Sequence, residues 1–219
     1  MHRKRLICGI DEAGRGPVIG PLVVAGVQID DEKVLEDTGV RDSKKCTPER
    51  RERLAKIIRD RAKAIDLVVL DAEEIDNLRS KMTLNEIEVD AFCKVMRSLR
   101  SDVYYVDSAD VDEKRFARAL KMRLDFDAEI ISSHKAEEKF LVVASASIIA
   151  KTTRDKLVKE IEEELREKLD LPLGSGYPSD PITMKFIKEW KRRFGGLPPY
   201  VRKSWKTIKR LSHQQMKLW

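Results

Sequence analysis

The chain has 219 residues, 42% hydrophobic and 37% charged, which is enough apolar material for one sizeable core. Three cysteines without metal-site or redox spacing, Cys8, Cys46 and Cys93, argue against a secreted disulfide scaffold. No apolar stretch approaches the ~20 residues of a membrane span, and the apolar run that starts at Leu6 stops at Asp11, so a soluble, unexported, cytoplasmic protein is expected. The net charge of +6 is uneven. Residues 183–219 hold eleven Lys or Arg against one acid, Glu189, which is +10 there and −4 on the rest. A basic segment on an acidic body suits a phosphate-rich partner, and equally a solvated helix face.

Leu6–Asp11 reads as a short buried strand, Gly14–Gly20 as a loop, and Pro21–Ile29 as a second strand. Thr47 and Pro48 stand where an N-cap and a first helical residue belong, ahead of a charged helix to about Ala64. A third strand follows at Ile65–Leu70. Thr83 and Glu86 form a capping-box pattern opening a helix to about Arg100, with Ile87, Ala91, Val95 and Leu99 on one face. Val103–Asp107 is a fourth strand, Asp112–Leu124 a helix and Ala128–Ser132 a fifth strand. A long helix is expected from about Leu141 to Lys168, apolar first and charged later. Gly174–Pro181 is a loop of helix breakers, and helices then cover Ile182–Phe194 and roughly Pro199–Leu211. Five strands mixed with helices imply an α/β domain over 1–170 with a central sheet, and a small basic helical region over 171–219.

Asp11 and Glu12 end the first apolar strand, and Asp107 ends the fourth. Burying strands that finish in carboxylates is costly unless something neutralises them. Active sites of α/β sheets gather at strand carboxyl ends. Two such strands side by side would collect three carboxylates, and a divalent cation is the usual remedy for their repulsion. An oxygen-rich site favours Mg²⁺ or Mn²⁺. Taken singly, each acid reads as a loop cap. Gly14 and Gly16 let a ligand approach the backbone, but Ile19 stands where a dinucleotide fingerprint needs its third glycine, and the acids would repel a pyrophosphate.

The segments DEAGRGPVIGP at 11–21, DSKK at 42–45, YVDS at 105–108, HKAEEKFLVVASASIIAK at 134–151 and GSGYPSDP at 174–181 resemble, in order and spacing, the ribonuclease HII family of archaeal type, over roughly residues 6–211. The resemblance implies a ribonuclease H-like mixed five-stranded sheet flanked by helices. It implies endonucleolytic hydrolysis of RNA in RNA–DNA hybrids, including at single ribonucleotides in a DNA–RNA–DNA duplex, through two divalent ions, leaving 3′-hydroxyl and 5′-phosphate ends. The related ribonuclease HIII has an extra N-terminal domain, for which a first strand near residue 6 leaves no room.

The family's acids carry over as Asp11, Glu12 and Asp107. Its fourth acid is usually Asp, and the aligned residue here is Glu137, followed by Glu138, so a one-residue slip stays open. Asp155 lies downstream on the long helix and reads as structural. The resemblance assigns the reading of the 2′-hydroxyl to the backbone of Gly14, Arg15 and Gly16, sugar packing to Tyr177, and phosphate contacts to Lys44, Lys45 and Lys151. His134, near the acidic segment, reads either as a proton-transfer aid or as a local hydrogen-bonding group. The C-terminal stretch from His213 to Trp219 places Met216 and Trp219 three residues apart, like a sliding-clamp-binding peptide, so a clamp is a candidate partner beside the nucleic acid. A monomer is expected and no membrane association. The alternative is a non-catalytic nucleic-acid-binding module built on the basic C-terminal helices.

Overall fold

The five expected strands join one mixed sheet in the order β3-β2-β1-β4-β5. In the computed structural model, which describes residues 5–40 and 46–213, β1 is Ile7–Ala13, β2 Leu22–Ile29, β3 Ala64–Leu70, β4 Val103–Asp107 and β5 Glu129–Ser133. Lys44, Lys45, Met216 and Trp219 lie outside the described residues. β1 pairs antiparallel with β2, from Ile7↔Ile29 to Ala13↔Val23. On its other side β1 pairs parallel with β4, Ile10 opposite Val106, and β4 pairs parallel with β5, Asp107 opposite Ser133. Three strands running the same way bring their carboxyl ends to one edge of the sheet.

The helices are α1 Lys33–Glu36, α2 Pro48–Arg61, α3 Ala72–Arg79, α4 Leu84–Ser98, α5 Glu113–Arg123, α6 Ala136–Lys139, α7 Leu141–Arg166, α8 Pro181–Phe194 and α9 Lys206–His213. Local chemistry sets their starts. Thr47 Oγ1 accepts the Arg50 N–H at 3.3 Å with Pro48 in the first turn of α2, and Thr83 and Glu86 close the expected capping box on α4. Asp180 caps α8, and Gly195 ends it in the left-handed conformation. The short helices α1, α3 and α6 were not expected from the sequence. For α3 a signal exists: Asp71 and Glu74 form a capping box of their own.

The last helix differs from expectation. The sequence predicts it from Pro199, but α9 begins only at Lys206. Tyr200 takes a positive φ of 65°, which breaks a helical path, and Val201 forms a β-bridge with Ile19.

By its contacts the chain falls into two compact units, Met1–Ala13, Val23–Val69 and Thr83–Thr153 in the first, and Gly14–Leu22, Leu70–Met82 and Arg154–Trp219 in the second. The sequence-based division at 170/171 therefore falls inside the second unit, which also draws on two earlier segments.

The first unit is layered. On one face of the sheet the Tyr104 hydroxyl donates to the Met96 carbonyl of α4 at 2.9 Å. On the other, α7 starts directly over β1. A Cβ at Gly9 would stand 2.3 Å from the Val142 carbonyl carbon, so only glycine permits that approach. Tyr105 stacks with Phe140 on the same face, ring centroids 4.2 Å apart. The second unit has its own apolar core, in which Phe186, Ile187 and Trp190 of α8 pack with Val18, Leu165 and Ile208. Among the described residues no helix is long and apolar enough to cross a membrane. Cys8, Cys46 and Cys93 are free thiols and buried.

Candidate active site

Two groups of residues, one in each unit, contain the described positions singled out by the sequence. In the first unit, Asp11 and Asp107 stand at the carboxyl ends of the neighbouring parallel strands β1 and β4. Asp11 is buried, 5% exposed, and its Oδ1 accepts the Glu12 N–H at 2.7 Å. Burial, and then the charge of Asp107, push the Asp11 carboxyl up to about 7, against the opposing pull of Ser147, Lys151 and the Glu12 N–H. Asp107 is raised to about 6. Burial is again the main cause, the Ala136 N–H opposes it, and the neighbouring Glu137 carboxyl raises it further by charge and hydrogen bonding.

The chain delivers Glu137 there by a sharp turn. β5 ends at Ser133, Lys135 takes a left-handed φ of 53°, and α6 opens with the Ala136 N–H donating to Asp107 Oδ1 at 2.7 Å. Glu137 is half-buried, while Glu138 is exposed. Successive strand residues point to opposite faces, so Glu12 leaves β1 from the face opposite Asp11, and it is half-buried at the strand end.

Lys151 donates to Ser147 Oγ at 2.7 Å, and Ser147 hydrogen-bonds the Asp11 carboxyl. The expected phosphate contact is thus engaged beside an acid, one helical turn along α7. Ser147 was not singled out from the sequence. His134 makes local hydrogen bonds: its main-chain N–H donates to Glu113, and its Nε2 lies 3.2 Å from the Val111 carbonyl. Asp155 is exposed on α7 beside Arg154.

Among the described residues no three His, Cys, Asp or Glu side chains are gathered tightly enough to hold one ion as they stand. The donor chemistry nonetheless fits a hard divalent cation. The charge of Asp107 raises the Asp11 carboxyl, and Glu137 in turn raises Asp107, and carboxylates crowded away from water favour either protons or a cation.

In the second unit the chain passes from β1 directly into the loop Gly14–Gly16. Gly14 has φ +92°, and a Cβ there would lie 2.4 Å from the Pro21 carbonyl oxygen and 2.6 Å from Arg154 Nε. Gly16 is exposed, its Cα side facing the Tyr177 ring: a Cβ would stand 3.4 Å from Tyr177 Cε1. Tyr177 is 40% exposed, with the Arg154 guanidinium 5.7 Å from its ring centroid. Arg154 itself is buried, and its Nε has no hydrogen-bond partner among the described residues.

The loop is held from beneath by two residues that sequence reasoning missed. Arg202, wholly buried, donates to the carbonyls of Gly14, Arg15 and Gly20 at 2.7, 3.2 and 2.9 Å. The Trp205 indole N–H donates to the Gly16 carbonyl at 3.3 Å. Reading 199–211 as a helix hid both. A separate cleft of about 790 Å³ runs along α3 and residues 198–209, lined by Asp76, Arg79, Lys203 and Lys209 among others. It contains none of the residues singled out from the sequence.

A family model described as Ribonuclease HII matches residues 8–208. The ribonuclease HII of Thermococcus kodakarensis is 49% identical over 212 residues, covering 95% of this chain and 90% of its own. Among solved structures, the ribonuclease H2 from Pyrococcus horikoshii OT3 superposes with a TM-score of 0.88 at 41% identity, covering 97% of this chain and 99% of that one. The ribonuclease HII in the PCNA:RNase HII complex from Archaeoglobus fulgidus superposes with a TM-score of 0.84 at 40% identity, covering 92% and 95%. The chain belongs to the ribonuclease HII family, divalent-metal-dependent endoribonucleases that cleave the RNA of RNA–DNA hybrids.

Proposed function

We propose that this chain cuts at single ribonucleotides embedded in duplex DNA as well as in longer RNA–DNA hybrids, by a two-metal hydrolysis that leaves 3′-hydroxyl and 5′-phosphate ends. The observation that carries this is the pair Asp11 and Asp107 at adjacent parallel strand ends, both raised, with the Glu137 carboxyl against Asp107. Asp11, Glu12, Asp107 and Glu137 would hold two Mg²⁺ or Mn²⁺ ions. When bound, such ions supply a water of lowered pKa as nucleophile and neutralise the leaving oxygen. The chain's own residues do the rest. The Ala136 N–H orients Asp107, and Ser147 with Lys151 orients and offsets the charge of Asp11.

In this reading the backbone of Gly14, Arg15 and Gly16 recognises the 2′-hydroxyl, the group that separates RNA from DNA locally. Tyr177 presents an exposed ring for the sugar. Lys44, Lys45 and Lys151 contact phosphates. A labelled duplex with one ribonucleotide, incubated with Mg²⁺, Mn²⁺ or EDTA, tests the proposal. One metal-dependent cut at the ribonucleotide, abolished by EDTA, is expected. Binding without cleavage under either metal would favour the non-catalytic module.

A sliding clamp is the second proposed partner, through His213–Trp219. The support is the relative from Archaeoglobus fulgidus solved with PCNA and the Met216 and Trp219 spacing of the tail. Deleting residues 213–219 should leave cleavage of short duplexes unchanged and remove binding to a clamp of the same source. Equal clamp binding by both forms would refute it.

A further inference from the structure

Arg202 is an unusual residue to bury. Its guanidinium is wholly enclosed, and burial pulls its pKa down to about 9, still protonated at neutral pH. It faces three main-chain carbonyls, those of Gly14, Arg15 and Gly20. A buried cation held by neutral carbonyls is a poor stability device, since a well-packed apolar residue would usually serve as well or better. What a planar guanidinium does supply is a rigid fork of donors that specifies where several acceptors stand at once.

The surroundings hold that fork still. The Trp205 ring lies against the guanidinium, 4.8 Å from its carbon to the ring centroid. Asp76 of α3 accepts the Lys203 and Ser204 N–H groups at 2.7 and 2.9 Å, pinning the turn between Arg202 and Trp205. The Arg202 N–H donates to the Val18 carbonyl at 2.8 Å.

Three consecutive carbonyls of the loop, Gly14, Arg15 and Gly16, therefore accept from Arg202 or Trp205. In a trans peptide the N–H points away from the carbonyl of the same plane. Drawing the Gly14 and Arg15 carbonyls toward Arg202 turns the Arg15 and Gly16 N–H groups the other way. The next plane has no N–H, because residue 17 is proline. Adjacent main-chain N–H groups turned to one side make a small donor concavity suited to an oxygen ligand.

We infer that Arg202, backed by Trp205, is a positioning residue for ribose recognition: it sets the tilt of peptides 14–15 and 15–16 and so the discrimination of a ribonucleotide from a deoxyribonucleotide. The inference rests on the reading of this loop as the 2′-hydroxyl contact.

The test uses Arg202→Lys, which keeps the charge and loses the fork, and Trp205→Phe, which keeps a ring and loses only the bond to Gly16. For each, kcat and KM are measured on a duplex with one ribonucleotide, together with the inhibition constant of the same duplex in all-deoxy form and the thermal midpoint. The wild-type ratio of inhibition constant to KM should exceed one. It should fall about tenfold in Arg202→Lys, equivalent to ~1.4 kcal/mol, and a few-fold in Trp205→Phe, through a rise in KM with the inhibition constant unchanged. If Arg202→Lys does not fold, Trp205→Phe decides. A purely structural role would lower the maximal rate in proportion to folded protein and leave the ratio intact in both variants, which would overturn the inference. A wild-type ratio near one would instead remove the loop reading, and the inference with it.

Discussion

The main-chain N–H of Ala136 donates to Oδ1 of Asp107 at 2.7 Å, tying the end of β4 to the first residue of α6. That bond sets the register of the acidic segment, with Glu137 half-buried against Asp107 and Glu138 exposed. Glu137→Gln should therefore lower activity and raise the metal concentration needed for half-maximal cleavage by at least about tenfold. Glu138→Gln and Asp155→Asn should stay near wild type in the same titration. A normal Glu137→Gln beside a metal-insensitive Glu138→Gln or Asp155→Asn would identify the wrong acid.

Asp107→Asn should fold and yet lose activity by on the order of a thousandfold, about 4 kcal/mol of transition-state stabilisation. Its stability should change in a defined direction. Asp11 and Asp107 bind their protons more tightly in the folded chain, at about 7 and about 6, than in the unfolded one, where both follow the ordinary 3.8. Their contribution to metal-free stability is thus fully present below about pH 4 and is lost as pH rises through 6 and 7. A divalent ion binding the folded carboxylates should restore it. Thermal midpoints of the wild type should rise with Mn²⁺ more at about pH 8 than at about pH 5, and Asp107→Asn should blunt both the pH slope and the metal effect. An unchanged metal effect in the variant would count against the assignment.

Gly14 and Gly16 should respond differently to alanine. At Gly14 the positive φ alone costs an alanine ~1–3 kcal/mol, and its Cβ would collide with the Pro21 carbonyl and Arg154. Gly14→Ala should therefore lower the thermal midpoint clearly. At Gly16 a Cβ finds room at 3.4 Å from the Tyr177 ring, so Gly16→Ala should fold normally and reduce cleavage. Equal midpoints for the two variants would show that the Gly14 conformation is not needed.

Tyr177→Phe should keep most activity, and Tyr177→Ala should lose much of it. The ring is 40% exposed beside Gly16, and base–aromatic stacking, an upper guide for ring–sugar packing, is worth ~1–3 kcal/mol. The comparison is kcat/KM on a duplex with one ribonucleotide. Wild-type rates in Tyr177→Ala would remove the role.

Much of the fold was legible along the chain. The five strands appear within one or two residues of the expected bounds, because alternation and breakers act locally. Thr47 and Thr83 marked their helices correctly for the same reason: a cap and the N–H that donates to it lie three residues apart. The Asp71–Glu74 box carried the same signal for α3 and went unread. Arg202 carried no such signal. In a sequence it is one cation among eleven in a basic segment, and its three carbonyl partners lie more than 180 residues away.

By itself the sequence determined the element types, the family and which apolar strands finish in carboxylates, since each depends on neighbours in the chain or on motifs in order. Only the tertiary structure decided that β1 and β4 are parallel neighbours, so that the charge of Asp107 raises the Asp11 pKa. It also decided that Ser147 stands between Lys151 and Asp11, that Glu137 and not Glu138 turns toward Asp107, and that a buried arginine holds the Gly14–Gly16 loop. Strand order, burial and long-range hydrogen bonds come from packing the whole chain, and electrostatic coupling follows distance in space, not separation along the backbone.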